Sequence, residues 1–284
     1  MLKLLHISDL HFGPPYREKV GEAVLRLAPL LAPDVVVASG DFTQRAKDSQ
    51  FADARAFLDK LPASPTVVVP GNHDVPLYRL RERMFDPHGL YRKHISSELN
   101  QVWKVDGAVF VGLDSTAPHT AISNGRISEE QLQFCADSFA HTDDGVAKIV
   151  VAHHHFAPAP DKERDRTMPQ AKRAMKYFIA MGVDMVLGGH LHRSYIGDSL
   201  DIYPDLRSGH QGIIIVQCGT TTSGRGRARE KQRNTLNTIQ ICPQLVEVTH
   251  YMYFDDTDRF EPISRHLFPR RGQRSVERNS NVET

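Results

Sequence analysis

The segment Gly71-Asn72-His73-Asp74 follows directly on the apolar run Val67-Val68-Val69-Pro70, and the same arrangement recurs along the chain. Asp9 and His11 follow Leu2 to Ile7, Asp41 follows Val35 to Ser39 through Gly40, His153-His154-His155 follows Ile149 to Ala152, and His190 and His192 follow Met185 to Leu187 through Gly188-Gly189. Five apolar runs therefore end in carboxylate, amide or imidazole groups, the types that bind hard and borderline cations. The candidates are Asp9, His11, Asp41, Asn72, His153 or His154, His190 and His192. That is more than one tetrahedral zinc can use, and it matches two adjacent cations. The mixture suits Mn, Fe or Zn better than an all-oxygen Mg or Ca site. One carboxylate has two oxygens and can bridge a pair of ions, and Asp41 is the candidate for that place. Two such cations would lower the pKa of a shared water toward neutrality and so generate a hydroxide nucleophile. For any single histidine the plainer reading is a satisfied core or loop residue. Five strand ends of one kind argue against it for the set.

The elements that would hold these groups are read from periodicity. Leu2 to Ile7, Val35 to Ser39 and Thr66 to Val69 are strands, and Pro70, which cannot donate to a ladder, ends the third. Between them Arg17 to Leu31 and Phe51 to Leu61 carry apolar residues at helical spacing, so the order reads as right-handed βαβ units. Asp9 and His11, two apart, would share one face of extended backbone. In open α/β sheets, ligands bind at the carboxyl ends of strands. Further on, a short helix is expected over Tyr78 to Phe85, a turn at Asp86 to Gly89, and a hairpin of Trp103 to Val105 and Val109 to Leu113 turned at Asp106-Gly107. A helix capped by Ser128 and another over Gln170 to Met181 flank the strand Ile149 to Ala152. Segments 156–168 and 196–212 read as irregular. Strands near Ile213 to Cys218, Leu236 to Cys242 and Leu245 to Phe254 look antiparallel. One domain over 1–262 and a polar, loosely ordered tail over 263–284 complete the expectation.

Composition bounds the rest. A chain of 284 residues with 40% hydrophobic and 24% charged residues has ordinary globular values and room for one large α/β domain. With 35 basic and 34 acidic residues the net charge is +1, and there is one Trp, so neither a nucleic-acid groove nor a stacking platform is indicated. Three unpaired-looking cysteines, Cys135, Cys218 and Cys242, fit a reducing compartment. No apolar run is long enough for a membrane span, and a cytoplasmic protein is expected. There is no GxSxG elbow or P-loop pattern to suggest a covalent serine or a kinase.

His6-Ile7-Ser8-Asp9-Leu10-His11-Phe12-Gly13, Gly40-Asp41, Gly71-Asn72-His73-Asp74, the His153 cluster and Gly189-His190-Leu191-His192 occur in that order over residues 6 to 192. Together they resemble the five blocks of the calcineurin-like metallophosphoesterases, with class III cyclic nucleotide phosphodiesterases and related bacterial phosphodiesterases as the nearest likeness. The resemblance implies a four-layer α/β/β/α sandwich with two central mixed sheets and a dimetal site at one sheet edge. It implies that one metal takes Asp9, His11 and His192, the other Asn72, His153 and His190, and that Asp41 bridges them. His73 would be a catalytic non-ligand near the leaving group, either a general acid or an orienting residue, and Asp74 a supporting partner. Where many relatives have His-His-Pro, this chain has His153-His154-His155-Phe156, and His153 is preferred as the first residue after its strand.

The function implied is a dimetal-dependent phosphodiesterase, in which a metal-bridging hydroxide attacks a small, cyclic nucleotide-like phosphodiester. A phosphomonoesterase or a nucleotide-lipid pyrophosphate hydrolase is the first alternative, although no insertion is apolar enough for a lipid cap. A non-catalytic binding scaffold is the alternative of another class, and it predicts missing ligands where all seven places are filled. Arg45 and Arg193 are substrate-binding candidates beside the motifs, with Asn124, Arg126 and Tyr195 behind them. The cluster Arg225, Arg227, Arg229, Lys231 and Arg233 reads as a solvated face or a homodimer contact in preference to a phosphate site.

Overall fold

In a computed structural model, residues 1–62, 65–120, 125–158, 167–206, 212–227 and 230–270 are described. The first half is built by β1 (Leu2–Ile7), α1 (Glu18–Leu31), β2 (Val35–Ala38), α2 (Asp48–Leu58) and β3 (Thr66–Val68). The three strands pair in parallel, with Leu4 opposite Val35 and Val36 opposite Thr66. α1 buries Val20, Ala23, Val24 and Ala28, the stripe its spacing dictates, and α2 buries Phe51, Ala54, Phe57 and Leu58. Two short helices follow, α3 (Leu80–Phe85) and α4 (Gly89–His94). α4 lies beyond the expected turn at 86–89, and its fully buried Tyr91 is its anchor.

Next come β4 (Gln101–Val105), β5 (Ala108–Leu113), α5 (Glu129–Phe139), β6 (Ala147–Ala152), α6 (Ala171–Ala180), β7 (Met185–Gly188), β8 (Tyr195–Asp198), α7 (Ser199–Ile202) and β9 (Ile214–Gln217). Ser128 caps α5, its hydroxyl accepting from the Gln131 N–H while the Gln131 side chain accepts from the Ser128 N–H. The chain closes with β10 (Thr235–Ile241), β11 (Leu245–Phe254) and β12 (Arg259–Pro269).

One sheet has the order β12-β11-β10-β1-β2-β3 and the other β4-β5-β6-β7-β9-β8. Both are mixed. Three expectations are corrected here. β9 is no antiparallel neighbour of β10 but a parallel partner of β7, with Met185 opposite Ile214. Its four residues are all buried, as a strand covered on both faces requires. β8 and α7 occupy part of the segment 196–212 that reads as irregular, since a half-buried Tyr-Ile-Gly-Asp has no clear period. The tail does not begin at 263: residues 263–269 belong to β12, a mostly exposed edge strand with little apolar alternation to betray it. The remainder of the tail, 271–284, lies outside the described residues.

Alternation along the strands makes the layers. Val35 and Val37 of β2 face the second sheet, together with Leu4 and Val67, and meet Phe110, Ile149, Val151, Leu187 and Val216. Val36, with Leu5 and Ile7, faces α1 and α2. On the far side Val111, Val150 and Val186 pack against α5 and α6. The result is the α/β/β/α sandwich expected from the sequence. Each fully buried Val contributes about 1.5–3 kcal/mol relative to exposure, so the packed sheets form a stiff base for the loops at their carboxyl ends.

Candidate metal centre

The loops after β1 and β2 are zipped together by their backbones. Asp9 N–H donates to Gly40 O at 3.0 Å, His11 N–H to Asp41 O at 2.9 Å and Phe12 N–H to Phe42 O at 2.9 Å. Asp9 and His11 do not share a face of extended chain, as two-residue spacing suggested. Their φ values are 53° and 51°, and Asp41, His190 and His192 have φ of 54°, 75° and 53°. Left-handed backbone at non-glycine residues costs of order 1–3 kcal/mol each and persists where surroundings over-determine it. Those surroundings are visible. Thr220 Oγ1 donates to Asp9 O and Thr222 Oγ1 to Leu10 O, both at 2.8 Å, and Thr221 N–H donates to Ser8 O at 2.9 Å. Gly40, at φ +95°, lies where a Cβ would stand 2.7 Å from His153 Nδ1, and a Cβ on Gly71 would stand 2.2 Å from Asp41 Oδ1. Neither position has room for a side chain.

Asp9, His11, Asp41 and His192 are buried, and their ligating atoms lie within 4.8 Å of one another. His192 Nε2 is 3.2 Å from Asp9 Oδ1 and 3.1 Å from His11 Nε2, while His11 Nε2 is 3.6 Å from both Asp9 Oδ1 and Asp41 Oδ2. The same Asp41 oxygen lies 3.4 Å from His153 Nε2 on its other side. His153 Nδ1–H donates to Ser39 O at 2.8 Å, which leaves Nε2 for Asp41. His154 instead turns Nδ1 toward Ser115 Oγ at 2.9 Å. Beside His153, the His190 ring stands edge-on at 5.2 Å, and His190 Nδ1 is 2.9 Å from Asn72 Oδ1. His190 N–H donates to Asp9 Oδ2 at 3.0 Å, tying the β7 loop to the β1 loop. The seven residues proposed from sequence thus come to one place.

Electrostatics fit a cation. Burial alone would raise the carboxyls of Asp9 and Asp41, but His192 and His11 around the first, and His153 around the second, hold both well below the usual range. Burial pushes His11 down to about 4, and burial with the neighbouring imidazoles pushes His190 and His154 well below 6.5. His153 alone moves up, to about 9, because the nearby Asp41 charge overcomes its burial. Asp9 Oδ1, Asp41 Oδ2 and His153 Nε2 are buried and have no hydrogen-bond partner. Buried carboxylate oxygens left unpaired are costly, and a positive ion between them would satisfy all three atoms.

Other candidates fare differently. His73 N–H donates to Asp41 Oδ1 at 2.7 Å, and the ring stands edge-on to His11 at 4.8 Å. Asp74 is fully buried, and its carboxylate accepts from the N–H groups of Gly71, Phe42 and Thr43 and from the Thr43 hydroxyl. Burial and the Asp41 charge raise its pKa to about 7, against those backbone donors. Its lone pairs serve the loops after β2 and β3. Arg193 is buried near Glu230, whose ionised form it favours. Arg45 lines a cavity beside the centre. Arg126 is exposed and Tyr195 lies in β8; Asn124 and Arg229 lie outside the described residues, as do 159–166 and 207–211.

Sequence reasoning missed Arg225, which is no solvated-face residue. Its guanidinium donates to Gln44 Oε1 at 2.9 Å and reaches His73 Nε2 at 3.2 Å, and its carbonyl oxygen is 3.1 Å from His192 Nδ1. It is half-buried at the end of the loop that begins with Thr220 to Thr222. Reading β9 as a parallel strand would have placed that loop at the same sheet edge as the other motifs.

The sequence profile of the calcineurin-like phosphoesterases matches residues 2–194, and the chain belongs to that family. A Rhodococcus erythropolis protein described as a probable cyclic nucleotide phosphodiesterase is 26% identical over 205 residues, covering 67% of this chain and 65% of that protein. Among solved structures, a dimetal phosphatase from Danio rerio superposes with a TM-score of 0.62 at 13% identity, over 94% of this chain and 98% of that one. A purple acid phosphatase from yellow lupin seeds gives 0.70 at 12% identity over 94% of this chain, which spans 53% of the lupin protein. At such identities these two establish the fold. Among the described residues no helix is long and apolar enough to cross a membrane.

Proposed function

We propose that this protein is a dimetal-dependent phosphodiesterase acting on small, cyclic nucleotide-like phosphodiesters. The observation that carries the proposal is Asp41 Oδ2, buried and without a hydrogen-bond partner, between His11 Nε2 at 3.6 Å and His153 Nε2 at 3.4 Å. Asp9, His11 and His192 would hold one cation, Asn72, His153 and His190 the other, with Asp41 shared; Mn, Fe and Zn suit this donor set. When bound, such a pair supplies an activated water and neutralises charge on the attacking and leaving oxygens at phosphorus. Ser39 O fixes the His153 tautomer, and the Thr220 to Thr222 hydroxyls hold the β1 loop in its strained form. These contacts keep the ligands preorganised. The substrate class is supported by the name of the R. erythropolis relative and by the motif set.

His73 takes an orienting role in preference to that of a general acid. Its Nδ1 lies 2.9 Å from Gln44 O, which only accepts, so Nδ1 carries the proton. Its Nε2 faces an Arg225 N–H, which only donates, so Nε2 is an acceptor. A neutral His73 positions the Arg225 guanidinium, and Arg225 supplies the fixed positive charge for an oxygen of the substrate.

A panel of a linear phosphodiester, a phosphomonoester and a cyclic nucleotide, assayed after reconstitution with Mn, Fe or Zn, tests the proposal. Hydrolysis of the diesters with a metal requirement is expected. Turnover of the monoester with both diesters untouched would refute it.

A further inference from the structure

Beside the candidate centre lies a cavity of about 560 Å³ whose charged lining residues are all cations: Arg45, Lys47 and Arg225, with the amides of Gln44 and Gln50 between them. Gln44 joins the cavity to the centre, since its carbonyl receives His73 Nδ1–H and its side chain receives Arg225. Several arginines of the outer surface have a carboxylate partner, as Arg17 has Asp255, Arg26 has Asp258, Arg55 has Asp59 and Arg79 has Glu82. Among the described residues Arg45, Lys47 and Arg225 form no salt bridge. Asp48, next to Lys47 in sequence, is committed to Lys93 and His94. Asp9 and Asp41, which do act on Arg225, belong to the cation site. Three cations around one hollow repel one another, and Gln50 Oε1 is used in accepting the Arg45 N–H at 2.9 Å. What they lack is an anion from outside.

We infer that the cavity receives a second phosphate of the substrate, so that the preferred phosphodiesters are nucleotides bearing a phosphate besides the one that reacts. This rests on the phosphodiesterase reading of the adjoining centre. The guanidinium groups of Arg45 and Arg225 offer planar pairs of donors matched to phosphate oxygens, and Lys47 adds a mobile point charge at the mouth. A substrate with one negative charge leaves the hollow unused.

The test compares thymidine 5′-phosphate with thymidine 3′,5′-bisphosphate by calorimetric binding to the metal-loaded protein. In parallel, the p-nitrophenyl ester of thymidine 5′-phosphate is hydrolysed with and without a 3′-phosphate. The extra phosphate is expected to tighten binding and lower KM by about 10- to 100-fold. The advantage should shrink toward unity in an Arg45→Gln, Lys47→Gln double variant and fall with added salt. Equal binding of the two nucleotides, or an advantage that survives the double variant, overturns the inference. If neither ester is hydrolysed while the bisphosphate still binds better through Arg45 and Lys47, the phosphodiesterase reading falls and the anion cavity stands.

Discussion

Asp41→Asn is the sharpest perturbation of the centre, because the replacement keeps shape and one hydrogen bond while reversing what the other atom offers. In the native chain Oδ1 accepts the His73 N–H at 2.7 Å and Oδ2 points between His11 and His153. An asparagine satisfies the first contact only by presenting its oxygen to His73. Its NH₂ then occupies the Oδ2 position and aims two donors at the place where a cation would sit. Removing one partner of a buried charged contact costs about 3–5 kcal/mol, and at about 1.4 kcal/mol per tenfold this predicts a loss of roughly 10²- to 10³-fold or somewhat more in metal affinity. Since Asp41 faces both ligand sets, both positions should empty together. Protein equilibrated against a series of buffered free-metal concentrations and analysed by plasma mass spectrometry reads this out. Wild type should hold two ions per chain, and Asp41→Asn should fall toward none over one range of concentration. Asp9→Asn, which touches only His11, His192 and the His190 N–H, should lose one ion and keep the other. Retention by Asp41→Asn of one ion at wild-type affinity would refute the shared carboxylate.

Gly40→Ala should lower thermal stability by several degrees, at about 2–4 °C per kcal/mol for a chain of this size, and displace His153, whose Nδ1 and Cβ lie 2.7 and 2.9 Å from the new methyl group; scanning calorimetry with metal analysis checks both effects. His73→Ala and Arg225→Gln should each lower kcat/KM by about 10- to 100-fold, the worth of a hydrogen bond to a charged group, and because they act as a unit the double variant should lose little more; losses that multiply would separate the two residues. His250 is remote from these motifs in sequence and bonded to Asn237 Oδ1 at 2.8 Å, and burial, with a smaller contribution from His266, lowers its pKa to about 4. The folded state then binds fewer protons than the unfolded state from about pH 6.5 down to about 4, so stability is lost as pH falls through that window. At pH 5 the loss should be about 2 kcal/mol, and urea titrations of His250→Gln should show a pH dependence flatter by that amount.

Much of the fold was legible because its central strands are continuous β-branched runs separated by amphipathic helices. β1, β2, β3, β6 and β7 fall where Leu2 to Ile7, Val35 to Ser39, Thr66 to Val69, Ile149 to Ala152 and Met185 to Leu187 put them. Sequence fails at the sheet margins for a physical reason. β8 and β12 are edge strands, half or largely exposed, whose backbone is recruited by a neighbour with little help from side-chain burial. β9 was located correctly but paired wrongly, since an all-buried run reveals that both faces are covered and not which strand lies beside it.

The centre was legible as a set of residue types and not as a geometry. Asp9 and His11 converge because both leave the strand in left-handed backbone, a conformation that neither residue type announces and that hydroxyls of the Thr220 to Thr222 loop, over 200 positions away, stabilise. Such a contact has no local signature. The same long-range loop then delivers Arg225 to His73, so one segment supports the ligand loop and supplies a cation facing the outer cavity. Its two duties should be separable by substitution. Changes at Thr220 or Thr222 should loosen the ligands and lower metal affinity with little effect on substrate preference, whereas a change at Arg225 should weaken substrate affinity while both ions stay bound. If Thr220→Val kept wild-type metal affinity, the left-handed turn at Asp9 would have to be held by the Asp9 N–H to Gly40 O bond and its sheet neighbours alone, and the loop's supporting role would be refuted.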